Sequence, residues 1–435
     1  MSFLFTTTLI VYYIFFSGLN VNSYRIKLIN DRIIDSEIII SLIGFTIYAL
    51  IGGLKRKRNN SLESEEMKIF GFNEDFKNYV VKLSIVVIIL QFVVLIYLKT
   101  RMTWVSIILM YSATFYILSF YYHDKFYLKR LLVIVFSATV ISLAVNLFIP
   151  SNSEKERQDT SLAFKSIFDE NYYSNQARLS FWSASLKMFK ENPVKGIGAG
   201  KWPGLYPMYN GEFYNDENVD MNSAINPHND YLEILTEYGI FGFIVFAGLI
   251  FIGIYFLFKK VRTRIIYLPF LLSSIGLCIT MFFSFTKDNF WAMLVLSACM
   301  GVGYSFDYKL SIINYEFFKK NKVILKRLMI IAALILLSVG IWFKLLSYSN
   351  EREYLEAMQL KAQGKYGEML EKLNGVSTFY YPVDMNKMPV DYYRGVGYFE
   401  MKQYDKALEK FRYAREHMKY YPTIMNNEAS ALYMT

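Results

Sequence analysis

Long apolar stretches alternate with short polar segments along most of the chain. About 20 consecutive apolar residues are needed for a helix to cross a bilayer, and about nine stretches come near that length. They occupy residues 4–19, 38–54, 83–98, 104–121, 131–149, 240–258, 265–285, 290–306 and 328–346. The pattern therefore predicts an all-α fold, built as a multi-span helical membrane protein.

The composition agrees with a membrane protein. Of the 435 residues 54% are hydrophobic, and the mean hydropathy is +0.24, which is high for a soluble domain. Residues 1–4 lack a basic segment, and no small-residue cleavage site follows the first span, so we expect an anchor rather than a signal peptide. Cys278 and Cys299 lie in apolar spans and predict neither a disulfide nor a zinc site.

The net charge of +10 is spread in a way that argues against nucleic-acid binding. Basic clusters at residues 55–58, 125–130, 259–264 and 319–327 occupy every second segment between spans. The positive-inside rule places these segments in the cytoplasm. Residues 20–37, 99–103, 150–238 and 286–289 and the tail from Ser347 are then expected on the outer face. This alternation predicts four regions: spans 1–149, a large outer loop 150–238, spans 239–347 and a tail 348–435.

The outer loop contains an amphipathic helix. In QARLSFWSASLKMFKENP, apolar residues recur every three or four positions, and Pro193 ends the pattern. The predicted stripe consists of Leu179, Trp182, Leu186 and Phe189. Arg178 precedes Trp182 by one turn and lies at the edge of that stripe.

The tail contains a weak internal repeat. GKYGEMLEKL and KQYDKALEKF are similar, and a Tyr-Tyr-Pro follows each. The second copy has small or aromatic residues where tetratricopeptide-like helix pairs have them: Gly395, Tyr398, Ala407, Phe411 and Ala414. The chain stops with what resembles the first helix of another unit, which predicts capping by a partner or a shortened array.

A second short helix is predicted in NPHNDYLEILTEYG. Asn226 is a suitable N-cap, Pro227 suits the first helical position and Gly239 is a natural stop, so the helix is expected to begin at His228. The first N–H groups of a helix attract anions, and an imidazole exchanges protons near neutral pH. Glu233 and Glu237, on the same helix, are expected to orient neighbours or to be solvated.

These two segments resemble the large periplasmic loop of the bacterial O-antigen ligase and polymerase superfamily. The resemblance rests on RLSFWSASLKMFKENPVKGIGAG, NPHNDYLEILTEYGIFG and, upstream, KTRMTW, and it covers about residues 83–306. It implies an integral-membrane glycosyltransferase of the C type in the bacterial inner membrane, with loop and tail periplasmic. Thr100 stands where the family usually has serine, and a Phe-Gly-Asn-Pro-like stretch before Lys99 is missing, which predicts a truncated or divergent N-terminal part.

Such enzymes transfer a glycan from undecaprenyl diphosphate to an acceptor without a metal or other cofactor. The resemblance implies that His228 and Arg178 are catalytic and that Arg101, Asn229 and Lys99 bind substrate. His228 then acts either as general base toward the acceptor hydroxyl or as a diphosphate contact. Guanidinium groups suit the diphosphate because they stay charged and bind phosphate bidentately. Arg101 could instead anchor its span at the membrane interface. The glycine-rich residues 196–200 could form a backbone nest for phosphate, but such a cluster is usually a plain turn.

Three functions fit the sequence. The first is ligation of the carrier-linked glycan to a lipid A-core, glycan or protein acceptor, the last as in protein O-oligosaccharyltransferases. The second is an O-antigen polymerase that extends the chain. The third is a membrane scaffold whose repeats bind a protein partner. The expected partners are thus membrane lipids, the glycan donor on undecaprenyl diphosphate, the acceptor, and a protein bound at the repeats. Nucleic acid is not expected to bind.

Overall fold

A computed structural model describes residues 32–53, 74–98, 101–123, 125–148, 173–210, 224–305, 315–384 and 387–435. Within these ranges the chain forms α-helices, two short 3-10 turns and one isolated bridge between Val383 and Pro389. The first predicted span, residues 4–19, lies outside the described residues. The all-helical prediction is confirmed for the part that is described.

The helices follow the predicted order. They are α1 (Arg32–Gly53), α2 (Glu74–Leu98), α3 (Arg101–Phe120), α4 (Lys125–Phe148), α5 (Tyr173–Glu191), α6 (Trp202–Tyr209), α7 (Asp230–Val261), α8 (Leu268–Thr280), α9 (Phe290–Tyr304), α10 (Tyr315–Ala362), α11 (Tyr366–Gly375), α12 (Val390–Glu400), α13 (Tyr404–His417) and α14 (Pro422–Met434). Helix α8 ends five residues before the predicted end of its span at Phe285, because residues 281–288 form a series of turns.

Only some of these helices are long and apolar enough to cross a membrane by themselves. Among the described residues two pass this test, Asn78–Leu95 and the helix Asp230–Val261. The shorter apolar helices are Ser36–Ile51, Trp104–Phe120, Ile265–Thr280 and Phe290–Tyr304. The prediction of about nine spans is therefore supported for two helices.

The described residues form two compact units. Unit 1 comprises residues 1–176, 228–231 and 243–305, and unit 2 comprises 177–227, 232–242 and 306–435. The core of unit 1 is made by the apolar faces of α1, α2, α3, α4, α8 and the end of α7, with Ile39, Ile43, Leu95, Met110, Leu257 and Leu272 almost fully buried. Such a bundle of buried aliphatic side chains is what the long apolar runs predict.

The polar ends of the helices in unit 1 meet in two groups. At one end Tyr122 donates a hydrogen bond to the Val261 carbonyl oxygen at 2.6 Å, and the Arg262 guanidinium lies 4.9 Å from the Tyr121 ring centroid. At the other, Glu37 contacts the loop at residues 286–289. The alternation of basic clusters predicts that these two groups face opposite sides of the membrane, and this sidedness stays a prediction.

In unit 2, helix α5 buries a different face from the predicted one. The residues in its core are Ala177, Phe181, Ala184 and Met188, which pack on Trp202 and Tyr206 of α6. Leu179 and Leu186 are exposed, so the predicted stripe is wrong. The small alanines on the buried face leave room for the Trp202 and Tyr206 rings, whose centroids are stacked 4.7 Å apart. The helix ends at Glu191, two residues before Pro193, as predicted.

The tail of unit 2 folds into paired helices. The end of α10 packs on α11 through Tyr354, Ala357, Met369 and Leu373, and α12 packs on α13 where Phe411 approaches Gly395. The two turns match, since Gly364 and Lys402 are both left-handed and each lies two residues before a helix. The predicted packing positions Ala407, Phe411 and Ala414 are buried. Assignment of these pairs to the tetratricopeptide family stays a prediction.

Candidate functional site

The segment around His228 is a loop that leads into α7 rather than the first turn of that helix. The helix begins at Asp230, so the prediction of a start at His228, with Asn226 as N-cap, is wrong by two residues. His228 has a left-handed backbone with φ 51, a conformation that costs a non-glycine residue about 1–2 kcal/mol. Residues held in such a conformation cluster at functional sites, because the surrounding contacts must impose it.

The contacts that impose it involve the loop at residues 281–288. The Asp230 N–H donates to the Met281 carbonyl oxygen at 2.9 Å, and the Asp230 carboxylate accepts from the Lys287 N–H at 2.8 Å. The His228 ring lies 5.5 Å from that of Phe285. Because the Asp230 N–H already donates to Met281, it is not available to bind an anion at the start of the helix. The imidazole is half-buried and held beside an aromatic ring.

Glu37, on α1, fixes the same loop from the opposite direction. Its carboxylate is almost fully buried and accepts hydrogen bonds from the Thr286 hydroxyl at 2.7 Å and the Asn289 amide at 2.9 Å. Asn289 in turn accepts from the N–H groups of Trp291 and Ala292 and caps α9. A buried carboxylate needs such partners, and here they tie α1 and α9 to the loop that holds Asp230.

In unit 2 the second part of the motif, residues 232–239, is clamped by the glycine-rich turn at 196–200. The N–H groups of Ile197 and Gly198 donate to the carbonyl oxygens of Thr236 and Glu237 at 3.0 Å. The Trp202 N–H donates to the Glu237 carboxylate at 3.2 Å. These N–H groups therefore serve the fold, which favours the plain turn over the phosphate nest.

The clamp requires two glycines. A Cβ at Gly196 would lie 2.4 Å from the Glu237 carbonyl carbon, and a Cβ at Gly239 would lie 2.3 Å from the Val194 oxygen. Both residues have positive φ, 68 and 67. Gly239 interrupts the helical dihedrals as predicted, but α7 resumes at once because the Ile240 N–H finds the Pro193 carbonyl oxygen at 2.9 Å.

The tail also contacts this part of the motif. The Lys387 ammonium lies 3.2 Å from the Glu233 carboxylate, which is almost fully buried. The Tyr420 N–H donates to the Gly204 carbonyl oxygen at 3.0 Å, and Met418 packs where a Gly204 side chain would lie. Glu233 and Glu237 are thus both buried and bonded, so the expectation of solvation is wrong and that of an orienting role is supported.

Arg178 lies on α5 with its side chain partly exposed. One turn later, the Trp182 indole N–H donates to the Pro227 carbonyl oxygen at 3.1 Å. Helix α5 is therefore anchored to the peptide that immediately precedes His228. Hydrogen bonds therefore fix a neighbour of each predicted catalytic residue: Asp230 near His228, and Trp182 near Arg178.

The predicted substrate-binding residues are less completely described. Asn229 is buried, at the position before the first residue of α7. Arg101 is the first residue of α3, although its side chain is outside the described part, and Lys99 lies wholly outside it. Their roles stay predictions.

Sequence reasoning missed the polar residues that support the motif. Glu37 had a detectable signal, because a carboxylate at the edge of an apolar span is costly unless it has a purpose. Asp230 lies in the segment NPHNDYLEILTEYG, but the sequence predicted no role for it. Lys387 carries no signal in the sequence, because a lysine in a polar turn is ordinary and its partner Glu233 lies 154 residues away.

Comparison with known proteins identifies the central part of this chain. The family model described as O-Antigen ligase matches residues 86–247, which include Arg101, α5 and the His228 motif. A search of curated proteins finds no match. Residues 86–247 are thus similar to the O-antigen ligase family, and this match supports a relation of that domain to the O-antigen ligase and polymerase superfamily.

Proposed function

We propose that the protein ligates a glycan, carried on undecaprenyl diphosphate, to an acceptor hydroxyl at the outer face of the inner membrane. The match of residues 86–247 to the O-antigen ligase family model supports a membrane glycan transferase in general. The donor, the acceptor and the direction of transfer are parts of the proposal. The acceptor class is a hydroxyl of a lipid A-core, of a glycan or of a protein.

The observation that carries the proposal is the setting of His228 within the domain that matches the family model. This histidine of the family domain is held in a left-handed backbone, next to a buried aspartate and against the Phe285 ring. His123 has a similar backbone, so the features that set His228 apart are its place in the family domain and its contact with the Phe285 ring. General bases need fixed orientation toward the proton they remove, which these contacts provide.

In the proposed step, the acceptor oxygen attacks the anomeric carbon of the donor. A new carbon–oxygen bond forms, the bond from that carbon to the diphosphate breaks, and undecaprenyl diphosphate leaves with the electron pair. His228 takes the acceptor proton and later returns it to solvent. Arg178, always charged, binds the leaving diphosphate and stabilises its growing negative charge. Because the Asp230 N–H is bonded to Met281, it cannot help His228 to bind the diphosphate, and we therefore favour the role of general base for His228.

A matched pair of histidine variants tests this role. His123 has nearly the same backbone, φ 48, in the turn after α3, where we expect only a structural role. Asparagine tolerates the left-handed region and lacks an imidazole, so His228→Asn removes the base without adding strain. In a strain that lacks the gene, His123→Asn should restore the glycan profile, and His228→Asn and Arg178→Ala should not, at equal protein level in the membrane. A normal profile with His228→Asn would refute the assignment.

A further inference from the structure

One side of α10 presents an apolar stripe that runs into the tail. The exposed residues recur every three or four positions: Ile331, Ile335, Val339, Trp342, Leu345 and Tyr348. The helix has 48 residues and is about 70 Å long at 1.5 Å per residue. It can therefore cross a hydrocarbon core of about 30 Å and continue well beyond it. The predicted span, residues 328–346, places Trp342 one turn from the outer end.

At that level the tail adds aromatic side chains to the stripe. The turn after α11 brings Phe379 to 6.2 Å from Phe343, and Tyr380 to 5.4 Å from Phe343 and 6.3 Å from Trp342. Phe379 and Tyr380 also contact each other at 5.0 Å. We name these four residues the aromatic cluster. It joins two parts of unit 2 that are more than 30 residues apart in sequence.

The turn that carries Phe379 is fixed to the helix. The Ser377 N–H donates to the Asn350 side-chain oxygen at 2.5 Å, and the Tyr381 N–H donates back to the Ser377 carbonyl oxygen at 2.9 Å. Phe379 nevertheless exposes 75% of its surface. A large apolar side chain fixed in an exposed position, beside the apolar stripe of a predicted span, indicates a surface that is covered in the working protein.

We propose that the aromatic cluster contacts the lipid surface and thereby holds the first helix pair of the tail against the outer face of the membrane. Tryptophan and tyrosine favour the interface between hydrocarbon and water. The apolar surface of Phe379 continues the stripe of α10, and lipid covers the part of that stripe within the span. This contact is independent of the chemistry assigned to His228 and rests only on the span at residues 328–346.

Single-cysteine labelling of the full-length protein in liposomes tests the contact. Cys278 and Cys299 are first replaced by alanine, and an environment-sensitive fluorophore is attached to Phe379→Cys. Tyr433→Cys is the matched control, because Tyr433 is an aromatic residue on the last helix with 89% of its surface exposed. We expect nitroxide-labelled lipids to quench the probe at 379 several-fold more than the probe at 433. A water-soluble quencher should show the opposite order.

Two outcomes would overturn the proposal. Equal quenching of both probes by the water-soluble reagent would place Phe379 in water. Protection of position 379 from both quenchers would mean that protein, such as a second copy of the chain, covers the cluster. A second test attaches the probe to Tyr380→Cys and compares the protein with and without Phe379→Ser. If Phe379→Ser keeps the melting temperature and lipid quenching of this probe is unchanged, Phe379 does not make the contact.

Discussion

His228 shows how a motif is completed by residues that lie far away in the sequence. The motif itself, including His228, Asp230 and Gly239, could be found in the sequence because its spacing is regular. The left-handed backbone of His228 could not, because it depends on a loop some 50 residues later that receives Asp230. Local rules favoured a helix start at His228, whereas the helix begins at Asp230, which this tertiary contact holds.

The structure predicts that replacing Glu37 lowers the rate of the reaction, which the sequence did not predict. Replacing Glu37 by alanine removes the acceptor of Thr286 and Asn289, so the loop that holds Asp230 loses its support. A displacement of about 1 Å at a reacting group can lower a rate by about 100-fold. We expect Glu37→Ala to lower kcat at least tenfold with little change in KM for the donor, and Glu37→Gln, which keeps one oxygen, to lose less.

Ser41→Ala is the control for this prediction. Ser41 is buried on the same helix, but within the described part of the chain its hydroxyl donates to the Ile38 carbonyl oxygen of α1 itself. It should leave kcat unchanged. Equal losses for Ser41→Ala and Glu37→Ala, or a loss for Glu37→Ala explained by a lower melting temperature alone, would rule out a positioning role.

At the scale of the element, helix positions followed from the sequence more reliably than buried faces did. Most predicted spans coincide with helices because long apolar runs leave few alternatives. The face of α5 was wrong because leucine spacing alone does not show that Phe181, Ala184 and Met188 face α6. Likewise, Glu233 and Glu237 looked solvated because carboxylates on a short helix usually are, whereas each meets a partner from a distant segment.

The glycine clamp gives a sharp prediction at this scale. Gly196 and Gly200 have the same φ of 68, but a Cβ at Gly196 meets the backbone of Glu237, and one at Gly200 meets nothing within 4 Å. Gly200→Ala should therefore cost about 1 kcal/mol of unfolding free energy, from the dihedral alone. Gly196→Ala should cost roughly 3 kcal/mol or more, because the two backbones must separate.

Thermal unfolding of the purified variants in detergent measures the difference. The melting temperature should fall clearly further for Gly196→Ala than for Gly200→Ala. If the two variants melt together, the close approach of residues 194–198 and 236–239 does not stabilise unit 2, and the clamp is not what holds this part of the motif.

For the molecule as a whole, the alternation of basic clusters predicts which side of the membrane each loop faces. A membrane-impermeant maleimide should label a cysteine at Asp288 in intact spheroplasts, and it should label one at Lys129 only after permeabilisation, both in a background without Cys278 and Cys299. Both positions are exposed. The reverse pattern would place the His228 loop in the cytoplasm and contradict the proposed reaction.

The sequence predicts that the repeats of the tail bind a protein partner. The Lys387–Glu233 ion pair and the contacts at Gly204 show that it packs on the loop within unit 2. Sequence could not reveal this, because the repeats resemble an independent module. Removal of the whole tail would therefore also expose buried surface of the loop, so point variants are the better probes of its role.

Transfer by the purified protein tests the central claim most directly. The chain is reconstituted in nanodiscs with a glycan on undecaprenyl diphosphate, an acceptor and EDTA, and both the glycosylated acceptor and the released undecaprenyl diphosphate are quantified. The account predicts that the unaltered chain forms the two products in equal amounts, and that His123→Asn forms as much of each as the unaltered chain does. It predicts a loss of at least 100-fold with His228→Asn, the size expected when a general base is removed. Full turnover by His228→Asn, or no product from the unaltered, folded chain, would contradict it.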